Sequence, residues 1–213
     1  MEIIILFSSG LVLGFCIKQI VNWLAIDGFI LNRSNLVLEF LCGLSVLWAF
    51  DNLLFPEALL FSIIVGILAG IAIVDYNTFE IPIVFIIAGI IVVIMRIFTD
   101  NIDFSAALWG VFVGAIIPLI LIGVLWLITK RQGMGFGDIQ MGIILGAWLG
   151  PMRMAITLFC ASVLSLLVWI GVSLIKGFDK DRALPYGPFL SFAGTGTYIG
   201  SFYYPEFFHL FII

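Results

Sequence analysis

Three carboxylates stand at the edges of apolar stretches, in settings that could do chemistry: Asp75, Glu80 and Asp138. The first two lie in the run Ile73-Val74-Asp75-Tyr76-Asn77-Thr78-Phe79-Glu80-Ile81-Pro82, where Asp75 closes one apolar span and Pro82 opens the next. The third ends Gly133-Met134-Gly135-Phe136-Gly137-Asp138, three alternating glycines leading to an aspartate that opens a helix. Each setting has a bland account. Pro suits a first helical turn, Asp is a favoured N-cap, and glycines before a helix can be a plain turn. As a pair the two aspartates offer more. Two carboxyl groups held close cannot both ionise, so they share a proton. One can act as base on a water while the other donates to a scissile carbonyl, which is the chemistry of peptide hydrolysis. Gly135 and Gly137 lack a Cβ, so a substrate backbone could approach beside Asp138 and pair with the loop as an added strand. Glu80 reads as a turn acid or one that steers substrate.

The elements that must position these acids are membrane helices. Of 213 residues, 63% are hydrophobic and 10% charged, against roughly half and a quarter in soluble domains. A domain of this size cannot hide so much apolar surface from water. It must face lipid, where the backbone closes its own hydrogen bonds in helices or a closed barrel. The apolar runs are longer than barrel strands and do not alternate in polarity, which selects helices. The expected class is all-α, a polytopic membrane protein of about eight transmembrane helices. They fall at roughly 3–25, 36–51, 58–75, 81–97, 104–129, 139–152, 154–175 and 189–212, counting spans of about 20 apolar residues. Span 36–51 contains Glu39, and span 139–152 ends at Gly150-Pro151. These two are short or interrupted and belong next to protein or a polar cavity. The first stretch carries Lys18, Gln19 and Asn22 with no small-residue cleavage site, so it reads as a retained helix rather than a signal peptide. A single membrane-embedded domain over 1–213 is expected. The lack of an internal repeat weighs against a transporter built from two repeated halves.

A net charge of −4 argues against nucleic acid as a partner. Cys16, Cys42 and Cys160 are scattered through apolar segments with no CxxC pair, so no metal site, disulfide framework or cofactor is expected. Arg33, then Lys130 and Arg131, then Lys176, Lys180 and Arg182 fall in one set of loops. The other set holds only Arg96 and Arg153 among acids: Glu2, Asp51, Glu57, Asp100, Asp103 and Glu206. The basic set is cytoplasmic by the positive-inside rule. Both termini are then outside, and Asp75, Glu80 and Asp138 share the cytoplasmic face. An ionisable group at the boundary of an apolar bundle is costly and therefore suspect as functional. Glu39 is a further candidate, either for substrate or as a packing acid that is protonated or bonded to Lys18.

At this point the motifs acquire a likeness. Residues 133–150, GMGFGDIQMGIILGAWLG, resemble the second aspartate motif of bacterial type IV prepilin peptidases, a GxGD signature followed by a helix with a similar ending. Asp75 to Pro82 resembles the first motif, an Asp followed six and seven residues later by Ile/Leu-Pro. Residues 184–190, LPYGPFL, are similar to a late Pro-Phe-Gly-Pro segment, and Glu39–Leu44 and Gly10–Gly14 match more weakly. The resemblance runs along nearly the whole chain, and its motifs occur in order on one membrane face. It implies an eight-helix aspartic endopeptidase, multi-pass in the inner (cytoplasmic) membrane. Such an enzyme cuts the short basic leader of prepilins or pseudopilins, of type IV pilus or type II secretion systems, on the cytoplasmic side. Asp75 and Asp138 would be the catalytic pair, with Gly135, Gly137, Glu80, Glu39, Pro185 and Tyr186 toward substrate. The implied partners are that substrate and membrane lipid; the particular pilin and the oligomeric state stay open.

The chain departs from that pattern in three places. Many members carry a large loop after the first helix with two CxxC pairs, associated with N-methylation from S-adenosylmethionine. Here that loop shrinks to about Ala25–Asn35 without a cysteine, so methylation is not expected. Gln140 stands where Lys often follows GxGD, and Ile83 where a polar residue often follows Ile-Pro. Two rivals differ in class or family. A peptidase of the presenilin and signal-peptide-peptidase kind would show Tyr-Asp and Pro-Ala-Leu, where this chain has Asp75-Tyr76 and LPYGP. An ion-coupled transporter using Glu39, Asp75 and Asp138 would need polar residues along a path through the membrane centre.

Overall fold

The computed structural model describes residues 2–99, 102–129, 135–179 and 182–209. Among these the chain is helices and their connections, with no strand. The helices are α1 (Glu2–Leu24), α2 (Val37–Asn52), α3 (Glu57–Thr78) and α4 (Ile83–Phe98), then α5 (Phe104–Val111), α6 (Ile117–Thr129), α7 (Phe136–Leu149), α8 (Pro151–Lys176), α9 (Gly187–Tyr203) and α10 (Pro205–His209). A π turn, Phe112–Ile116, joins α5 to α6 in one apolar run. Each of the eight expected spans thus has its helix. Four helical runs, α1, α3, α5 through α6, and α8, are long and apolar enough to cross a membrane. The other four, α2, α4, α7 and α9, have 14 to 17 residues. They reach about 21–26 Å, against roughly 30 Å of hydrocarbon. Four helices are therefore short where two were expected.

Local chemistry sets the ends. Pro82 precedes α4, and Gly150-Pro151 separates α7 from α8. The eighth span was expected to continue to 212, yet α9 stops at Tyr203. Tyr204, at φ −126° and ψ 58°, precedes Pro205, and a residue before proline is kept out of the helical region. Residues 210–213 lie outside the described ones. Many large apolar side chains are exposed, among them Trp23, Leu54, Phe98, Ile128, Phe159 and Leu174. That much open apolar surface is stable only against lipid, and the protein is an integral membrane protein of several spans.

The chain forms two compact units, Met1–Asp103 and Phe104–Ile213. In the first, α1 lies against α2 at Gly10 and Gly14, where any Cβ would strike the α2 backbone at Glu39, Cys42 and Gly43. Close approach through small residues is the usual way membrane helices associate. Ile17 of α1 reaches the faces of α3 left open by Gly66 and Gly70, and Phe85 of α4 meets Gly70 as well. Ile64, Ile71, Val74 and Leu38 complete a core with almost no exposed surface.

In the second unit α7 is the central element. Met141, Ile144, Leu145 and Trp148 are nearly fully buried, and from Met141 to Leu149 every residue but Ile143 is buried, so this part of the helix is covered on all sides, as a core helix should be. Leu145 fills the face of α9 opened by Gly194. Trp148 stacks near Tyr198 with ring centroids 6.0 Å apart, and Arg153 of α8 lies over the same Tyr198 ring. Protein covers the short sixth span, which is why it need not match the bilayer thickness.

Candidate active site

Asp75 sits in the last turn of α3, which runs three residues beyond the end expected from the sequence. The residue is 4% exposed. Its carbonyl accepts the N–H of Phe79 at 2.9 Å, and Phe79, at φ 57°, turns the chain out of the helix. A non-glycine residue in this left-handed region is uncommon and costly, and it lies four residues from the acid. The Glu80 N–H then donates to Thr78 Oγ1 at 3.3 Å, and the Glu80 side chain is exposed. Pro82 leads into α4 as expected.

The other end of this hairpin corrects the charge reading. Glu57 and Arg96 were counted as loop charges, yet both are buried. Arg96 binds Glu57 through two nitrogens, Nη2 to Oε1 at 2.8 Å and Nε to Oε2 at 3.3 Å. This paired geometry is the strong form of an ion pair. It ties the start of α3 to the end of α4, so neither residue is a free loop charge.

Glu39 is also buried, and it is bonded to Lys18 at 3.0 Å. Lys18 further donates to the carbonyls of Arg33 at 3.2 Å and Asn35 at 2.5 Å. Asn22 accepts from the Leu31 N–H and donates to its carbonyl. Two polar residues inside an apolar helix therefore hold the whole α1–α2 connection down.

Asp138 is the third residue of α7 and is 8% exposed. Its Oδ2 accepts the N–H of Gly135 at 3.1 Å, the reach-back half of a capping box. Gly135 is extended, at φ −74° and ψ 151°, and is exposed. A Cβ there would sit 3.3 Å from Asp138 Oδ2. Gly137 already belongs to the first helical turn, so of the two glycines only Gly135 presents extended backbone. Gly133 and Met134, with Lys130 and Arg131, lie outside the described residues, as do Lys180 and Asp181.

Pro185 is buried and Tyr186 half-buried at the start of α9. The Tyr186 hydroxyl lies 3.3 Å from Ser162 Oγ and donates to the Leu158 carbonyl at 3.5 Å. Burial pushes the Tyr186 phenol above its ordinary value. The Ser162 hydrogen bond opposes this, and the negative charge of Asp138 adds to the rise. Tyr186 is thus within the field of Asp138 although far from it in sequence. Ser162 was not singled out from the sequence, because one hydroxyl in an apolar span carries no signal until its neighbour is known. Among the described residues no cluster of three or more His, Cys, Asp or Glu could hold a metal ion.

The sequence model of the type IV leader peptidase family matches residues 62–170, a stretch holding both Asp75 and Asp138. Curated relatives agree. A prepilin leader peptidase/N-methyltransferase of Dichelobacter nodosus is 39% identical over 44% of this chain and 35% of its own length. One of Pseudomonas putida is 28% identical over 65% of this chain and 48% of its own. One of Aeromonas hydrophila is 35% identical over 36% of this chain and 27% of its own. The chain thus spans about a quarter to a half of these relatives. No solved structure gives a significant match. With just over half of its residues matched by that family's model, the two buried aspartates included, the chain belongs to the type IV leader peptidase family.

Proposed function

We propose that this protein is a membrane aspartic endopeptidase that removes the short basic leader of a prepilin or pseudopilin at the cytoplasmic face of the inner membrane. The observation that carries the reading is that the family's matched region holds two buried aspartates, Asp75 and Asp138, each in the terminal turn of an apolar helix. The proposed peptidase domain is taken over 1–213, with Asp75 and Asp138 as its catalytic acids. The distribution of basic loops supports the cytoplasmic side. Gly135, Gly137, Glu80, Pro185 and Tyr186 are the groups proposed to meet substrate.

The chemistry follows from the helix ends. Asp138 lies in the first turn of α7, where the helix dipole favours an anion, and Asp75 in the last turn of α3, where it favours the neutral acid. Asp138 then takes a proton from water as the water oxygen attacks the scissile carbonyl carbon. Asp75 donates a hydrogen bond to the carbonyl oxygen as that oxygen becomes negative. The tetrahedral species collapses with the C–N bond, and the leaving amine takes up the proton. N-methylation is not part of this proposal, because the α1–α2 connection is the short, cysteine-free turn clipped by Lys18 and Asn22.

The test is cleavage of a prepilin in liposomes. Asp75→Asn and Asp138→Asn should each abolish cleavage while the protein stays folded, because a shared-proton pair needs both acids. Glu80→Gln should be far milder. Near-normal cleavage by either asparagine variant would sink the aspartic mechanism. Mass spectrometry of the mature N-terminus after incubation with S-adenosylmethionine should show no added methyl group.

A further inference from the structure

In the second unit α5 and its π turn meet α7 at four glycines. A Cβ on Gly142 would overlap the carbonyl of Gly114, and a Cβ on Gly114 would overlap that of Gly142. Gly110 and Gly146 repeat the same reciprocal contact one turn away. At each glycine the nearest atom a Cβ would meet is backbone, not a side chain that could swing aside. The π turn, Phe112–Ile116, is centred on Gly114. Such turns are rare, and they recur where a helix must present its backbone in an unusual way.

The place of this contact on α7 gives it a consequence. Gly142 is four residues after Asp138, one turn along on the same face. Between and beyond them Met141, Ile144, Leu145 and Trp148 are packed with almost no exposure. A close-packed helix transmits a displacement rather than absorbing it. A methyl group at Gly142 would therefore part α7 from the π turn and carry the carboxylate of Asp138 with it. We propose that Gly114 and Gly142, backed by Gly110 and Gly146, form a seat that sets the position of Asp138, making these glycines positioning residues for the reaction. The inference rests on the reading of Asp138 as a catalytic acid.

The experiment uses the full chain in liposomes with a prepilin substrate. Gly142→Ala, Gly114→Ala and their double variant are compared with Gly123→Ala and Gly171→Ala, where an added Cβ meets nothing. Two quantities are read: kcat and KM across pH, and the titration midpoint of the Asp138 carboxyl by infrared difference against Asp138→Asn. Each seat variant should lower kcat by about tenfold or more with KM little changed, since roughly 1 Å of misplacement is enough for such losses. The acid limb of the kcat profile and the infrared midpoint should move together, which mere loss of folded protein would not produce. The double variant should be no worse than the worse single, because the first methyl has already parted the helices. Gly123→Ala and Gly171→Ala should behave as wild type.

Folded seat variants with an unchanged pH profile, or a double variant whose losses multiply, would overturn the proposal. If Gly142→Ala does not fold, Gly114→Ala tests the same contact without touching α7. If the wild type itself fails to cleave, the peptidase reading falls. The seat then stands or falls on whether the Asp138 midpoint shifts in Gly142→Ala.

Discussion

The Asp138 carboxylate accepts a backbone bond from Gly135 at 3.1 Å. Because Gly135 donates to Oδ2, the carboxylate is tied to the point where α7 begins. Gly135 has an ordinary negative φ, so an alanine there is not strained by its backbone. Its methyl would press on Oδ2 instead. Gly135→Ala should therefore lower turnover severalfold while leaving the unfolding temperature close to wild type; a loss of stability with turnover per folded molecule unchanged would contradict this. Tyr186 offers a test in pH. Its folded value is raised above 10.0, chiefly by burial, so the folded chain holds the phenolic proton more tightly than the unfolded chain. That contribution to stability is complete below about pH 10 and is lost as pH rises through the raised value. Thermal unfolding from about pH 8 to pH 11 should show the wild type losing stability faster than Tyr186→Phe above pH 10. Parallel curves would mean that the phenol is not shielded.

At the scale of elements, the polar residues within the first unit fasten helix ends. Lys18 and Glu39 join α1 to α2, and the same ammonium closes the connecting turn through the carbonyls of Arg33 and Asn35. Removing one partner strands a buried charge. Lys18→Met and Glu39→Leu should each cost about 3–5 kcal/mol. The double variant should recover most of this, though not all, since the two carbonyls still lose their donor. Thermal unfolding in detergent measures it, and equal losses in the single and double variants would refute the pairing. The Glu57–Arg96 pair performs the matching task at the far end of the α3–α4 hairpin. Asp75 sits in the last turn of a helix that packs against the long α1 and against two short helices, α2 and α4.

For the molecule as a whole, the expected placement in the membrane rests on loop charge. Burial of Arg96 against Glu57 removes one outer cation from that balance and sharpens the bias. In a background with Cys16, Cys42 and Cys160 replaced by alanine, single cysteines at Ser34 and Asp179 should be shielded from an impermeant thiol reagent in intact cells and labelled after lysis. A cysteine at Asp51 should be labelled in intact cells. The reverse pattern would turn the protein over and remove Asp75 and Asp138 from the cytoplasmic side.

Helices were legible in the sequence because their limits are local: an apolar run, a charge, Pro82, Gly150-Pro151. Both aspartates could be placed at helix ends from the same marks. Where legibility failed, the cause was a partner distant in sequence. Glu57 reads as a loop acid until Arg96 is beside it, Ser162 as an ordinary span residue until Tyr186 is, and Gly114 as a tolerated helix glycine until Gly142 meets its carbonyl. The π turn left no trace in the apolar run 104–129, since it changes backbone geometry and not polarity. There is one physical reason behind these cases. In water, hydropathy separates core from surface, but lipid tails are as apolar as leucine. Composition could therefore say that α7 and α8 both lie in the membrane. Only packing decided that α7 would be enclosed by protein and α8 would face lipid.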